Sequence, residues 1–306
     1  MSPSAAHVIV AAFALVAFRA SGAPVRKDAP LEVIAPAAIA LDVAPAPPPP
    51  IALPEPGPDD AAWTTGPDVG EGVAMKDTGN PLGNNAFIGY AGYRISLDDA
   101  EAWVDALYGA WLHDRGVRYI WAVRGPDDSH YEHKEIGNTK IGARLRGVAP
   151  AASFVLVAAH SSGSCVAHEL FKQLAEGRDP EGSTAGKIVY FNLDGIEKGL
   201  SPESVVRLRR AYFVGAVDRA TRTVSPNQAD MRRTAAQYAS DYVEYDAHGA
   251  KCESGASWCL HVSLVTNAPH DPRGTRTHLD YSEFSRAGVA TGFFDAMARE
   301  AGIVAP

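Results

Sequence analysis

Three cysteines are all that the 306 residues hold, and their placement excludes more than it allows. Cys165, Cys252 and Cys259 match none of the paired-ligand spacings of a zinc site. No cysteine follows the small residues Ala20-Ser21-Gly22-Ala23, which argues against a lipid-modified N-terminus. Basic residues are also few: 28 Lys and Arg stand against 36 Asp and Glu, a formal charge of −8. Without a compact Lys/Arg patch there is no field to hold a phosphate backbone, and nucleic acid is not expected as a partner. Long hydrophobic runs are missing too. The apolar stretch from Val8 to Phe18 falls short of the roughly 20 apolar residues that a bilayer span requires, so no permanent membrane anchor is expected. The chain has no internal repeat.

What is present divides the chain in three. The short apolar run followed by small residues reads as an export signal over residues 1–23, although no Lys or Arg precedes it. A secreted or periplasmic protein would follow. In such an oxidising compartment Cys252 and Cys259, close together around Gly255, are expected to close a small disulfide loop, leaving Cys165 as a buried thiol. Residues 24–60 are dominated by Ala and Pro, including the run Pro47 to Pro50. Few backbone donors and a preference for extended polyproline conformations make this a linker or stalk. Residues 61–306, in a chain that is 46% hydrophobic and 21% charged, suffice for one domain of catalytic size.

In that domain short β-rich runs alternate with amphipathic helical windows, which predicts an α/β fold with a doubly wound, mainly parallel sheet flanked by helices. Ser96 is a suitable N-cap for a first helix, with Asp98 and Asp99 in its first turn and Trp103, Val104, Leu107, Tyr108, Trp111 and Leu112 as its apolar stripe. Gly116 closes it. Strands are expected at 118–123, 153–158, 187–192, 211–216 and 260–266. Helices are expected near 141–145, 165–175, 203–209, 228–238 and 286–300.

The segment carrying chemistry is Ala159-His160-Ser161-Ser162-Gly163. An apolar strand runs into this small-x-Ser-x-Gly turn, and the turn runs into a helix with Val166, Leu170 and Leu174 on one side. A serine on such a tight turn projects its hydroxyl above the sheet, and small flanking residues are needed because helix and strand backbones approach closely. Centring the motif on Ser162 or Ser164 instead puts His160 or Val166 where a small residue is required. At these residues the chain resembles the α/β-hydrolase superfamily, in which many members carry Gly-His-Ser-x-Gly at this place.

The resemblance implies a serine nucleophile, an acid and a histidine base in that order, each just after a strand. Ser161 is the expected nucleophile. Asp218, after the strand at 211–216, is the expected acid, with Asp194 in Asn192-Leu193-Asp194-Gly195 as the alternative. His278, shortly before the last helix, is the expected base, with His270 between Pro269 and Pro272 as the alternative. His160, His168 and His261 read as packing or surface residues. The oxyanion donors expected are the N–H of Ser162 and that of Gly125 or Arg124, since Pro126 has none. The run His130-Tyr131-Glu132-His133 reads as a solvated loop rather than a metal pair, and no metal or other cofactor is needed. The implied activity is hydrolysis of a carboxylic ester, small-molecule or lipid, through an acyl-enzyme. A peptidase or thioesterase using the same triad, or a binding module that kept the scaffold without the chemistry, is the alternative.

Overall fold

The computed structural model describes residues 39–40, 62–127, 136–178, 183–247, 257–265 and 291–304. The chain divides into two units, Met1–Ala35 and Pro36–Pro306, and every element below belongs to the second. The export signal, most of the Pro/Ala segment, the His130–His133 run, Cys252, His270 and His278 lie outside the described residues.

Among the described residues nine strands form one sheet: β1 (Ile39–Ala40), β2 (Val73–Asp77), β3 (Asn85–Tyr90), β4 (Val117–Val123), β5 (Val155–His160), β6 (Ile188–Leu193), β7 (Arg210–Asp218), β8 (Thr223–Val224) and β9 (Asp241–Asp246). Their order is β1-β9-β7-β6-β5-β3-β4-β2, with β8 paired to β7. All pairings are parallel except β2 with β4 and β8 with β7. The helices are α1 (Leu97–Leu107), α2 (Asn138–Val148), α3 (Gly163–Gln173), α4 (Pro202–Val206), α5 (Gln228–Gln237), α6 (Ser257–Ser263) and α7 (Gly292–Glu300).

The central strands are buried on both faces, as parallel strands between helical layers must be. Successive side chains alternate between two cores. From β5, Leu156 and Ala158 join Trp103, Val104 and Leu107 of α1 and Phe293, Phe294 and Met297 of α7. Val155, Val157 and Ala159 join Ile141 and Leu145 of α2, Val166, Leu170 and Phe171 of α3, and Met231 of α5. The sheet is therefore sandwiched, as the sequence implied.

Ser96 caps α1 by accepting from the Asp99 N–H at 3.1 Å, and the apolar stripe runs on through a π-turn and a 3-10 turn to Gly116, which is left-handed at φ +65°. The expected strands at 118–123, 153–158, 187–192 and 211–216 coincide with β4 to β7 within a few residues. The segment from Leu260 is different: it lies in helix α6, not in a strand. Its β-branched, alternating character suggested a strand. However, Cys259, Leu260, His261, Val262 and Ser263 are all buried, so there is no polar face to display a helical period.

Candidate active site

The end of β5 delivers the expected elbow. Ser161 has φ +53°, a left-handed conformation that costs a non-glycine residue on the order of 1–3 kcal/mol and persists only where surroundings enforce it. The enforcement is visible. The Ser161 N–H donates to the Leu193 carbonyl at 3.1 Å. Its own carbonyl accepts from the Ser164 N–H at 3.2 Å and stands 2.7 Å from Ser164 Oγ. Ser164 Oγ in turn accepts from the Ile196 N–H at 2.9 Å, fastening the elbow to the turn after β6. Gly163 is required: a Cβ there would lie 2.4 Å from the Ala91 carbonyl oxygen and 2.6 Å from that of Tyr90.

On that turn after β6 stands Asp194, fully buried and also left-handed at φ +45°. Its Oδ2 accepts from His261 Nδ1 at 2.6 Å and its Oδ1 from Ser225 Oγ at 2.7 Å. The Asn227 side-chain amide donates to the Asp194 carbonyl at 2.7 Å. Because Nδ1 of His261 carries the proton given to the carboxylate, Nε2 keeps the lone pair, the tautomer a general base needs. His261 is itself buried, with the exposed Trp258 indole edge-on at 5.2 Å.

His160, the residue before Ser161, packs tilted against His261 with ring centroids 4.4 Å apart, and its Nε2 donates to the His261 carbonyl at 3.2 Å. Burial first, and then the neighbouring His261, hold the His160 pKa well below the usual 6.5. Ser161 and the Asp194–His261 pair are thus joined through adjacent residues. Among the described residues no hydrogen bond links the Ser161 hydroxyl to His261; such bonds commonly tighten only around a bound substrate.

The turn after β3 closes the other side. A Cβ on Gly92 would come within 3.2 Å of Ser161 Cβ and 3.3 Å of His160 Nδ1. Gly125, expected as an oxyanion donor, is otherwise engaged: its N–H donates to the Ile95 carbonyl at 2.9 Å, and that of Arg124 to the Gly72 carbonyl at 3.0 Å. The sheet order gives the reason. It is β3, not β4, that lies beside β5, so the Ala91-Gly92-Tyr93 turn faces the serine. Ser162 stays in place at the start of α3, 2% exposed, where first-turn amides lack intrahelical acceptors.

Asp218, the expected acid, does not meet His261. Its Oδ1 accepts from the N–H groups of Ala220 and Thr221 at 2.9 and 3.3 Å, a turn-forming role between β7 and β8. Asp194, the alternative, occupies the position beside the histidine. His261 was overlooked because 260–266 read as a strand. Position along the chain does not single it out: His248 stands between it and β9, whose own sequence Asp-Tyr-Val-Glu-Tyr-Asp is too polar to read as a strand. His168 is a core residue, donating through Nδ1 to the Lys198 carbonyl at 3.0 Å and sharing a 2.9 Å hydrogen bond with the Tyr190 hydroxyl. Cys165 is a buried thiol. No group of three or more His, Cys, Asp or Glu side chains suited to a metal occurs among the described residues.

No family model and no curated protein matches the sequence. Among solved structures, a carboxyl esterase from the mycorrhizal fungus Tuber melanosporum aligns with 67% of this chain and 86% of its own at 7% identity and a TM-score of 0.44. A candidate thioesterase from Silicibacter sp. aligns with 65% of this chain and 77% of its own at 15% identity and a TM-score of 0.38. A candidate hydrolase of the α/β superfamily from Xanthomonas campestris aligns with 55% of this chain and 87% of its own at 16% identity and a TM-score of 0.29. Similarity this distant carries no argument by itself; on its own sheet order, two helical layers and the strained serine turn between β5 and α3, the chain has an α/β-hydrolase-type fold.

Proposed function

We propose that the protein is a serine hydrolase that cleaves carboxylic esters through an acyl-enzyme, with Ser161 as nucleophile, His261 as general base and Asp194 as the acid that orients it. The observation that carries this reading is the 2.6 Å contact of Asp194 Oδ2 with His261 Nδ1, packed against the residue that precedes the strained Ser161.

In this mechanism Ser161 Oγ attacks the acyl carbon while His261 Nε2 takes its proton. The tetrahedral oxyanion is received by the N–H of Ser162 and by the Gly92–Tyr93 turn, both preorganised. As the intermediate collapses, the alcohol leaves with the proton held by His261. Water then attacks the acyl-enzyme, giving its proton to His261 and releasing the carboxylic acid and Ser161. Export through the segment 1–23 belongs to the same proposal, and N-terminal sequencing of protein recovered outside the cytoplasm would test it: a start beyond residue 23 supports it, an intact leader removes it.

The activity test is fluorophosphonate labelling of the full chain beside hydrolysis of p-nitrophenyl esters of short and long acyl chains. Labelling and turnover abolished by Ser161→Ala and by His261→Ala are expected. Folded protein that neither labels nor turns over any ester would reject the enzyme in favour of a binding module.

A further inference from the structure

Asp194 is held by more than its histidine. Ser225 lies just after β8, 1% exposed, and is tied to β7 twice: its N–H donates to the Ala216 carbonyl at 2.8 Å, and its Oγ accepts from the Ala216 N–H at 3.1 Å. A hydroxyl has one proton to give. With Oγ already accepting from β7, that proton is directed to Asp194 Oδ1, 2.7 Å away. The carboxylate thus receives Ser225 on one oxygen and His261 on the other, which fixes the rotation of its plane. Two residues further on, Asn227 holds the backbone of the same left-handed residue, through its side-chain amide to the Asp194 carbonyl at 2.7 Å. Its own N–H reaches Asp194 Oδ2 at 3.4 Å.

We propose that Ser225 is a positioning residue of the hydrolase: its hydroxyl orients the Asp194 carboxylate so that His261 presents Nε2 to Ser161. The inference rests on the proposed function and adds to it a residue from a different strand connection. Ser225 touches no reacting atom. It transmits the rigidity of β7 to the acid, which sits on a strained turn beyond β6, and holds Oδ1 where His261 and the Asn227 N–H hold only Oδ2.

The test is a double-mutant cycle read in kcat and KM for a p-nitrophenyl ester, with thermal melting to verify folding. Ser225→Ala should lower kcat about 10- to 100-fold with KM little changed, the loss expected of one hydrogen bond to a charged group. In an Asp194→Asn background the same change should lower residual activity no further, because the carboxylate it orients is gone. A purely structural serine would instead lower activity by the same factor in both backgrounds, and that result overturns the proposal. So does Ser225→Ala with wild-type kcat. Ser225→Cys, which retains the side-chain shape but is a weak donor, should repeat the kcat loss; if neither variant folds, the role is structural and the proposal falls. Absence of Ser161-dependent turnover in the wild type would reject the hydrolase itself, an outcome distinct from these.

Discussion

Asp194 and Asp218 each follow a parallel strand, and among the described residues it is Asp194 that meets a histidine. Asp194 is fully buried with hydrogen bonds to both carboxylate oxygens, whereas Asp218 satisfies turn amides at the end of β7. Asp194→Asn should therefore reduce kcat/KM by on the order of 10^3- to 10^4-fold, because the amide can offer His261 Nδ1 a donor and stabilise the wrong tautomer. Asp218→Asn should retain most activity; equal losses in both variants would contradict the assignment. His160 makes a second prediction. Unfolded, its imidazole titrates near 6.5; folded, burial keeps its pKa well below that value. Below about pH 6.5 the unfolded state takes up a proton that the folded state refuses. Stability accordingly falls as pH drops, by up to about 1.4 kcal/mol per unit, until the folded pKa is reached. Urea unfolding between pH 7.5 and 5 should show a shallower fall for His160→Gln than for wild type, and parallel curves would remove His160 from the explanation.

The elements that carry the site are held together by close backbone approach. At the start of α3 the Gly163 position faces carbonyls of β3 and the turn after it, not flexible side chains. Gly163→Ala must move the helix or the strand, and should destabilise by about 1–3 kcal/mol while displacing Ser161. Gly147, late in α2, is the contrast: nothing lies within 4 Å of an added Cβ there. Gly147→Ala should stabilise by about 0.5–1 kcal/mol through helix propensity alone. Denaturant midpoints check both, and a neutral Gly163→Ala would mean that α3 sits looser on β3 than these distances state. At this scale the sequence was legible where period and caps agree, as for α1 behind Ser96 and the apolar strands β5 to β7. It misled at α6, where Cys259 to Ser263 are all buried, and was silent at β9, where only Val243 of six residues is buried.

Across the whole molecule, α7 is fastened to the end of the α1 segment and to the sheet within one core by an aromatic contact set. Phe294 of α7 is 2% exposed and lies 5.2 Å from Trp111 beyond α1 and 5.1 Å from Phe191 of β6, between ring centroids. Beside it Asp295 accepts from the Trp111 indole N–H at 2.7 Å. Phe294→Ala leaves a cavity where α1, α7 and the sheet meet, and should cost about 3–5 kcal/mol. A cooperative loss of that size in chemical denaturation is expected, whereas a change under about 1 kcal/mol would show that α7 contributes little to the global fold.

The sequence by itself determined the class of fold, the first helix with its cap, and the serine turn, because each is encoded locally: in side-chain period, in N-cap chemistry, and in the need for small residues where backbones touch. Only the tertiary structure decided which acid and which histidine meet. Asp194, Ser225 and His261 come from three separate strand connections, and their meeting depends on the order of β6, β7 and β9 in the sheet. The same order set β3 rather than β4 beside β5, leaving the Gly125 N–H to the Ile95 carbonyl and turning Gly92 toward Ser161. Strand order depends on packing between residues far apart in the chain, and no local pattern carries it.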